Sequence, residues 1–125
     1  MLLIKVVKVS FMVFLLVGAP RIASAVQYTV GDGSGWVYSG VNYTSWAIGK
    51  RFKVGDTLVF NYTNGAHDVT EVGEAGYSQC KTSPNSGVLT SGTDAVTLGS
   101  TGPKWFICGF PGHCDAGQKL AITVV

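Results

Sequence analysis

Four side chains in this sequence have the types and spacing to bind a single metal ion. Cys108 ends the apolar run Trp105-Phe106-Ile107, a Pro111-Gly112 turn follows, and His113 stands five residues after the cysteine. Thiolate and imidazole therefore sit on one short loop and can face the same ion. A second imidazole comes from His67, which follows the turn residues Asn64-Gly65. One cysteine and two histidines form the trigonal donor set of a type I (blue) copper site, where a soft sulfur and two borderline nitrogens accommodate both Cu(I) and Cu(II). This set uses both histidines in the chain.

The fourth, axial donor of such a site is usually a weakly bound methionine, with glutamine as an alternative. The only methionines are Met1 and Met12, both inside an N-terminal segment expected to be removed. Gln118, five residues past His113, is left as the axial candidate through its amide oxygen. A hard oxygen favours Cu(II) more than a thioether does, so a lower reduction potential is expected than with methionine there. With Cys108 given to the metal, Cys80 and Cys114 remain to pair as a disulfide, which an oxidising compartment permits.

That compartment is indicated by the first 25 residues. Lys5 and Lys8 precede an apolar stretch at 9–17, and Ala23-Ser24-Ala25 is a small-x-small cleavage signal, the three parts of a secretory signal peptide. The apolar stretch falls short of the roughly 20 residues a membrane-spanning helix needs. Residues 26–125 are the expected mature domain, secreted to the extracellular space. Lys5, Lys8 and Arg21 leave with the signal, so six basic residues face seven acidic ones and the net charge changes from +2 to −1. No basic cluster remains to dock on nucleic acid phosphates or anionic lipid. A monomer is expected, with a small molecule or a protein as redox partner.

The elements that must position these donors read as strands. Gly, Asn, Ser and Asp interrupt the chain at short intervals, and no long apolar pattern recurs with the helical period. Strands are expected at 27–30, 51–54, 57–62, 67–72, 94–98, 104–108 and 119–124. The last alternates, with Leu120, Ile122 and Val124 on one face, the pattern of a half-buried sheet. Seven or eight strands in one hundred residues imply an all-β Greek-key sandwich or barrel. No helix is expected apart from a short helical turn around Cys80. Trp36, Trp46, Phe52, Phe60 and Trp105 are expected in the core.

The run Phe106-Ile107-Cys108-Gly109-Phe110-Pro111-Gly112-His113-Cys114, with His67-Asp68-Val69 upstream and Val30-Gly31 and Gly35-Trp36 before it, resembles the phytocyanins, the extracellular blue-copper proteins (cupredoxins) of plants. The resemblance spans essentially the whole mature chain. It implies a cupredoxin fold, one copper ion held by His67, Cys108, His113 and Gln118, a Cys80–Cys114 disulfide, and one-electron transfer. The layout is similar to the plantacyanin branch, while glutamine in the axial position is similar to the stellacyanins. Some branches continue into a Pro/Ser-rich stalk and a lipid-anchor signal, whereas this sequence stops at Val125, so a soluble product is expected.

Other chemistries fit less well. Zinc fingers pair their cysteines two to four residues apart, and none here are so close. A cysteine hydrolase needs a base and an orienting group on separate elements, and nothing around Cys108 has that signature. Copper oxidases need a second, histidine-rich site, and His67 and His113 are the whole supply. No enzymatic activity is therefore expected. The alternative from another class is an extracellular signalling or wall-associated binding protein in which copper is structural or dispensable.

Phe110 and Pro111, flanking His113 on its turn, are candidates for a small apolar patch where a redox partner meets the histidine edge. The sequons Asn42-Tyr43-Thr44 and Asn61-Tyr62-Thr63 are candidate N-glycosylation sites at Asn42 and Asn61.

Overall fold

The structure is a computed structural model that describes residues 24–125. All but the last two residues of the expected signal segment lie outside the described residues. The strands are β1 (Gln27–Thr29), β2 (Thr57–Asn61), β3 (Val69–Val72), β4 (Gly87–Leu89), β5 (Thr93–Thr97), β6 (Gly102–Ile107) and β7 (Lys119–Val124). They form two sheets, ordered β1-β2-β5 and β4-β3-β6-β7. All the pairings are antiparallel except β1 with β2, which run parallel. This is the β-sandwich expected of a cupredoxin.

The alternation of β7 works as its sequence implies. Leu120, Ile122 and Val124 are buried, and the residues between them are not. Facing them across the sandwich are Leu58 and Phe60 of β2. Trp36 packs edge-on against Phe60 at a centroid distance of 5.0 Å, and Phe60 meets Phe106 of β6 at 5.5 Å. Aromatic pairs at such distances add to simple area burial. Cys108 belongs to this same core cluster, so the chemistry is built at one end of the main core. A smaller cluster of Val72, Ile107 and Cys114 packs with Tyr77, Cys80 and Trp105.

Four expectations need correction. Residues 51–54 make no strand, and only Phe52 bridges Val124. The buried Asp56 carboxylate accepts the N–H groups of Val26 and Lys53, at 2.9 and 2.8 Å, and turns the chain instead. The Val26 bond, opposed by burial, holds the Asp56 carboxyl below its ordinary range. Strand β3 begins at Val69, leaving His67 and Asp68 in the loop before it. Helix α1 (Tyr43–Ala47) forms where none was expected, whereas the helical turn expected around Cys80 is present as α2 (Glu74–Gln79), which Cys80 closes in the left-handed conformation. Trp105 is only partly buried and belongs to the smaller cluster, whereas Tyr43, 1% exposed, takes a core place.

Helix α1 starts because the Asn42 side chain accepts the Ser45 N–H at 3.1 Å, a standard N-cap. It delivers Tyr43 to the interior, where the phenol donates to the Gly35 carbonyl at 2.7 Å and accepts the Val37 N–H at 2.8 Å. The loop before it is closed down on β2. Gly35 has φ 68°, and a Cβ there would stand 2.6 Å from the Asn61 carbonyl oxygen, so only glycine fits. Trp36 donates its backbone N–H to that same oxygen.

Candidate metal centre

Three loops converge at one end of the sandwich. The long one leaves β6 at Ile107 and rejoins the sheet at β7, carrying Cys108, His113 and Gln118. Its tip is a tight turn in which His113 N–H donates to the Phe110 carbonyl at 3.1 Å. Pro111 and Gly112 hold the two central positions, and Gly112 has φ 76°, the left-handed value that the third residue of a type II turn requires. The base is tied twice. Cys108 N–H donates to the Gln118 carbonyl, and Gln118 N–H to that of His113, both at 3.0 Å.

His67 enters from the loop before β3. Trp36 Nε1 donates to the carbonyl of Asp68 at 2.8 Å and fixes the chain beside the histidine. The Asp68 carboxylate reaches across to accept the Gly109 N–H at 2.6 Å and the Thr70 hydroxyl at 3.1 Å. A Cβ on Gly109 would meet that carboxylate at 3.0 Å and the Thr82 methyl at 3.1 Å, so a side chain there would crowd the contact.

The donor atoms come together. Nδ1 of His67 and Nδ1 of His113 are 3.0 Å apart, and Cys108 Sγ lies 3.9 and 3.5 Å from them. A trigonal ion with metal–nitrogen bonds near 2.0 Å and a metal–sulfur bond near 2.3 Å would space its donors by roughly 3.5–3.8 Å. The trio is already close to that arrangement. Gln118 is fully buried, and neither its amide oxygen nor its amide nitrogen has a hydrogen-bond partner. Its amide lies near enough to His67 to influence that ring's protonation without a hydrogen bond of ordinary geometry. A buried amide is normally satisfied, so this orphan is what an absent partner atom would leave. These residues fit a copper ion.

The surroundings favour neutral imidazole and an otherwise inert thiol. Burial, then the neighbouring His113, push the His67 pKa down, against smaller upward pulls from Gln118 and Asp68. Burial raises the Cys108 thiol, while the backbone N–H groups of Asp68 and Phe110 favour the thiolate. A disulfide joins Cys80 to Cys114, with Cα atoms 5.6 Å apart, and anchors the residue after His113 to the end of α2.

The plastocyanin-like domain family matches residues 36–118. The chain is 53% identical over 113 residues to a blue copper protein of Petunia hybrida, covering 86% of this chain and 42% of that protein. Among solved structures, cucumber basic protein, a blue copper protein, superposes with a TM-score of 0.72 at 42% identity, covering 80% of this chain and all of that one. Cucumber stellacyanin gives 0.74 at 34% identity, over 82% and 97%. The chain is a phytocyanin of the plastocyanin-like family.

The rim of this phytocyanin's site is aromatic. Phe110 is half-buried with its ring 5.7 Å from that of His113, and Pro111 is exposed beside it. Sequence reasoning missed Tyr38. Its ring stacks on His113 at 4.9 Å and 23°, and half of the residue is open to solvent. Nothing in the spacing of Tyr38 signals this, because the loop that carries it is placed by the Gly35 and Tyr43 contacts. Tyr62 turns its edge toward His67, at 6.3 Å. Its hydroxyl donates to the Asp94 carboxylate and to the Leu89 carbonyl. Asn42 and Asn61 are exposed, one capping α1 and the other ending β2.

Proposed function

We propose that the copper is held by His67, Cys108 and His113, with Gln118 as the axial donor, and that the chain is secreted and works as a one-electron carrier rather than an enzyme. Type I copper electron transfer is the function that the family, the fold and the donor set jointly support. The single observation that carries the ligand assignment is Gln118, whose amide is wholly buried at the site with both polar atoms unpaired.

When bound, the copper supplies one reversible one-electron step at a potential set by its donors. The chain's part is to keep the donors in place. The disulfide, the Asp68 bridge and the backbone bonds from Cys108 to Gln118 and from Gln118 to His113 hold the loop from three directions, so little rearrangement accompanies a change of charge. His113 lies nearest the surface, under Tyr38 and beside Phe110 and Pro111, and this rim is the proposed contact for a redox partner. Electron-transfer encounters use small interfaces, which suits a patch of this size. With both histidines in one site, none is left for a second copper, which supports the non-enzymatic reading. Among the described residues no helix is long and apolar enough to cross a membrane.

The test is a Cu(II) titration followed by visible absorption, with Cys108→Ser in parallel. An intense sulfur-to-copper band that bleaches on reduction and is missing from the variant establishes the site. A folded protein without the band overturns it and favours a binding role in which copper is dispensable.

A further inference from the structure

An open groove of about 420 Å³, lined by polar and apolar surface in similar measure, lies beside His67. One wall is the loop of residues 32–37. The other is formed by residues 61–63, with His67 at one end. Asn61 is thus a lining residue of the same depression as a proposed copper ligand, and it is the acceptor of the sequon Asn61-Tyr62-Thr63. Its backbone is fixed by the β2–β5 ladder, opposite Thr93, and by the Trp36 N–H on its carbonyl. The side chain itself is exposed and makes no hydrogen bond among the described residues. A rigid strand end therefore presents a free carboxamide at the rim of a groove whose lining includes Asp32, Ser34 and Thr63.

We propose that Asn61 carries an N-linked glycan, whose first sugars lie in this groove and shield the His67 imidazole. The attachment joins Asn61 Nδ2 to the anomeric carbon of an oligosaccharide carried on a lipid pyrophosphate. The bond from that carbon to the carrier's phosphate oxygen breaks, the lipid pyrophosphate leaves, and the amide gives up one proton. Sugar hydroxyls can then bond to Asp32, Ser34 and Thr63 in the groove lining. The proposal rests on the secretory reading above. Asn42 supplies a control: its Oδ1 caps α1, and attachment through Nδ2 leaves that acceptor in place.

The experiment expresses the full-length chain in plant cells and maps glycopeptides of the protein recovered from the medium. A glycan on Asn61 is expected. An unmodified Asn61 in secreted protein overturns the proposal while the secretory reading stands, whether or not Asn42 is modified. Retention of an unglycosylated chain inside the cells overturns both. Shielding is read on the copper-free, folded protein with diethyl pyrocarbonate, which acylates accessible imidazoles. The glycosylated form should react several-fold more slowly at His67 than Thr63→Ala or Asn61→Gln, both of which lack the sequon, with His113 unchanged. Equal rates at His67 in all three would overturn the shielding role.

Discussion

The Asp68 carboxylate accepts the Gly109 N–H at 2.6 Å, and so joins the residue after His67 to the residue after Cys108. His67 lies on the loop before β3, and Cys108 and His113 on the loop after β6. This contact ties the two loops together just beyond the last β3–β6 pair, Thr70 with Ile107.

Asp68→Ala removes the acceptor and leaves the Gly109 N–H and the Thr70 hydroxyl without it. A loss of about 1–3 kcal/mol is expected, the usual consequence of orphaning a buried donor. Denaturant unfolding of the copper-free protein measures it. Asp68→Asn keeps an acceptor oxygen and should restore most of the loss. An alanine variant as stable as the parent would show that the bridge does not organise the loop.

Gln118→Leu should make the copper-free protein more stable and the copper-loaded site worse. Removing a buried amide that bonds to nothing relieves a desolvation cost of about 1–3 kcal/mol. The midpoint of unfolding without metal should rise, while Cu(II) is held less tightly. Gln118→Met should keep the blue band and raise the reduction potential, measured by voltammetry, because a thioether favours Cu(I) more than an amide oxygen does. A lower potential in Gln118→Met would remove Gln118 from the axial position.

Replacing Cys80 and Cys114 together by alanine opens a loop of 34 sequence positions. The chain-entropy relation puts the loss at about 3–4 kcal/mol. The variant is expected to melt at lower temperature and to broaden the copper site's electron spin resonance spectrum, since the residue after His113 loses its anchor. An unchanged spectrum would mean that the turn hydrogen bonds suffice.

Phe110→Ser and Tyr38→Ala should each slow electron self-exchange by roughly fivefold, equivalent to about 1 kcal/mol for a truncated contact residue. The absorption spectrum should stay essentially the same. No slowing in either variant would place the partner surface elsewhere.

Tyr62 supplies a pH test. Burial, reinforced by the hydrogen bond to Asp94, pushes its pKa from 10.0 up to about 12. The folded state thus favours the protonated phenol. This contribution is complete below pH 10 and is lost as pH rises toward 12. Alkaline unfolding curves should show that loss in the parent and less of it in Tyr62→Phe, which has no proton to lose. Identical curves would dissociate Tyr62 from alkaline stability.

Much of this was legible in the sequence because it depends on local period or on inventory. β7 can be read from strict alternation, and the donor set from the presence of only two histidines. What escaped depends on contacts between distant segments. The apolar residues around Phe52 suggest a strand, but the buried Asp56 carboxylate bends that stretch into a turn. Asn42 reads as a sequon, although in the fold its side chain starts α1. Strand β4 is three residues long and exposed throughout, so it carries no burial pattern to detect. Tyr38 and Asp68 look like ordinary surface residues until the loops close.

Cys108, His113 and Gln118 all lie on the single connection between β6 and β7, and His67 alone arrives from elsewhere. Three of the four proposed donors therefore travel as one cassette. Changing the length or the turn residues of that connection would alter three bond directions together while the two sheets stayed intact. The geometry of the donor set is thus tuned on one connection, separately from the sandwich that carries it.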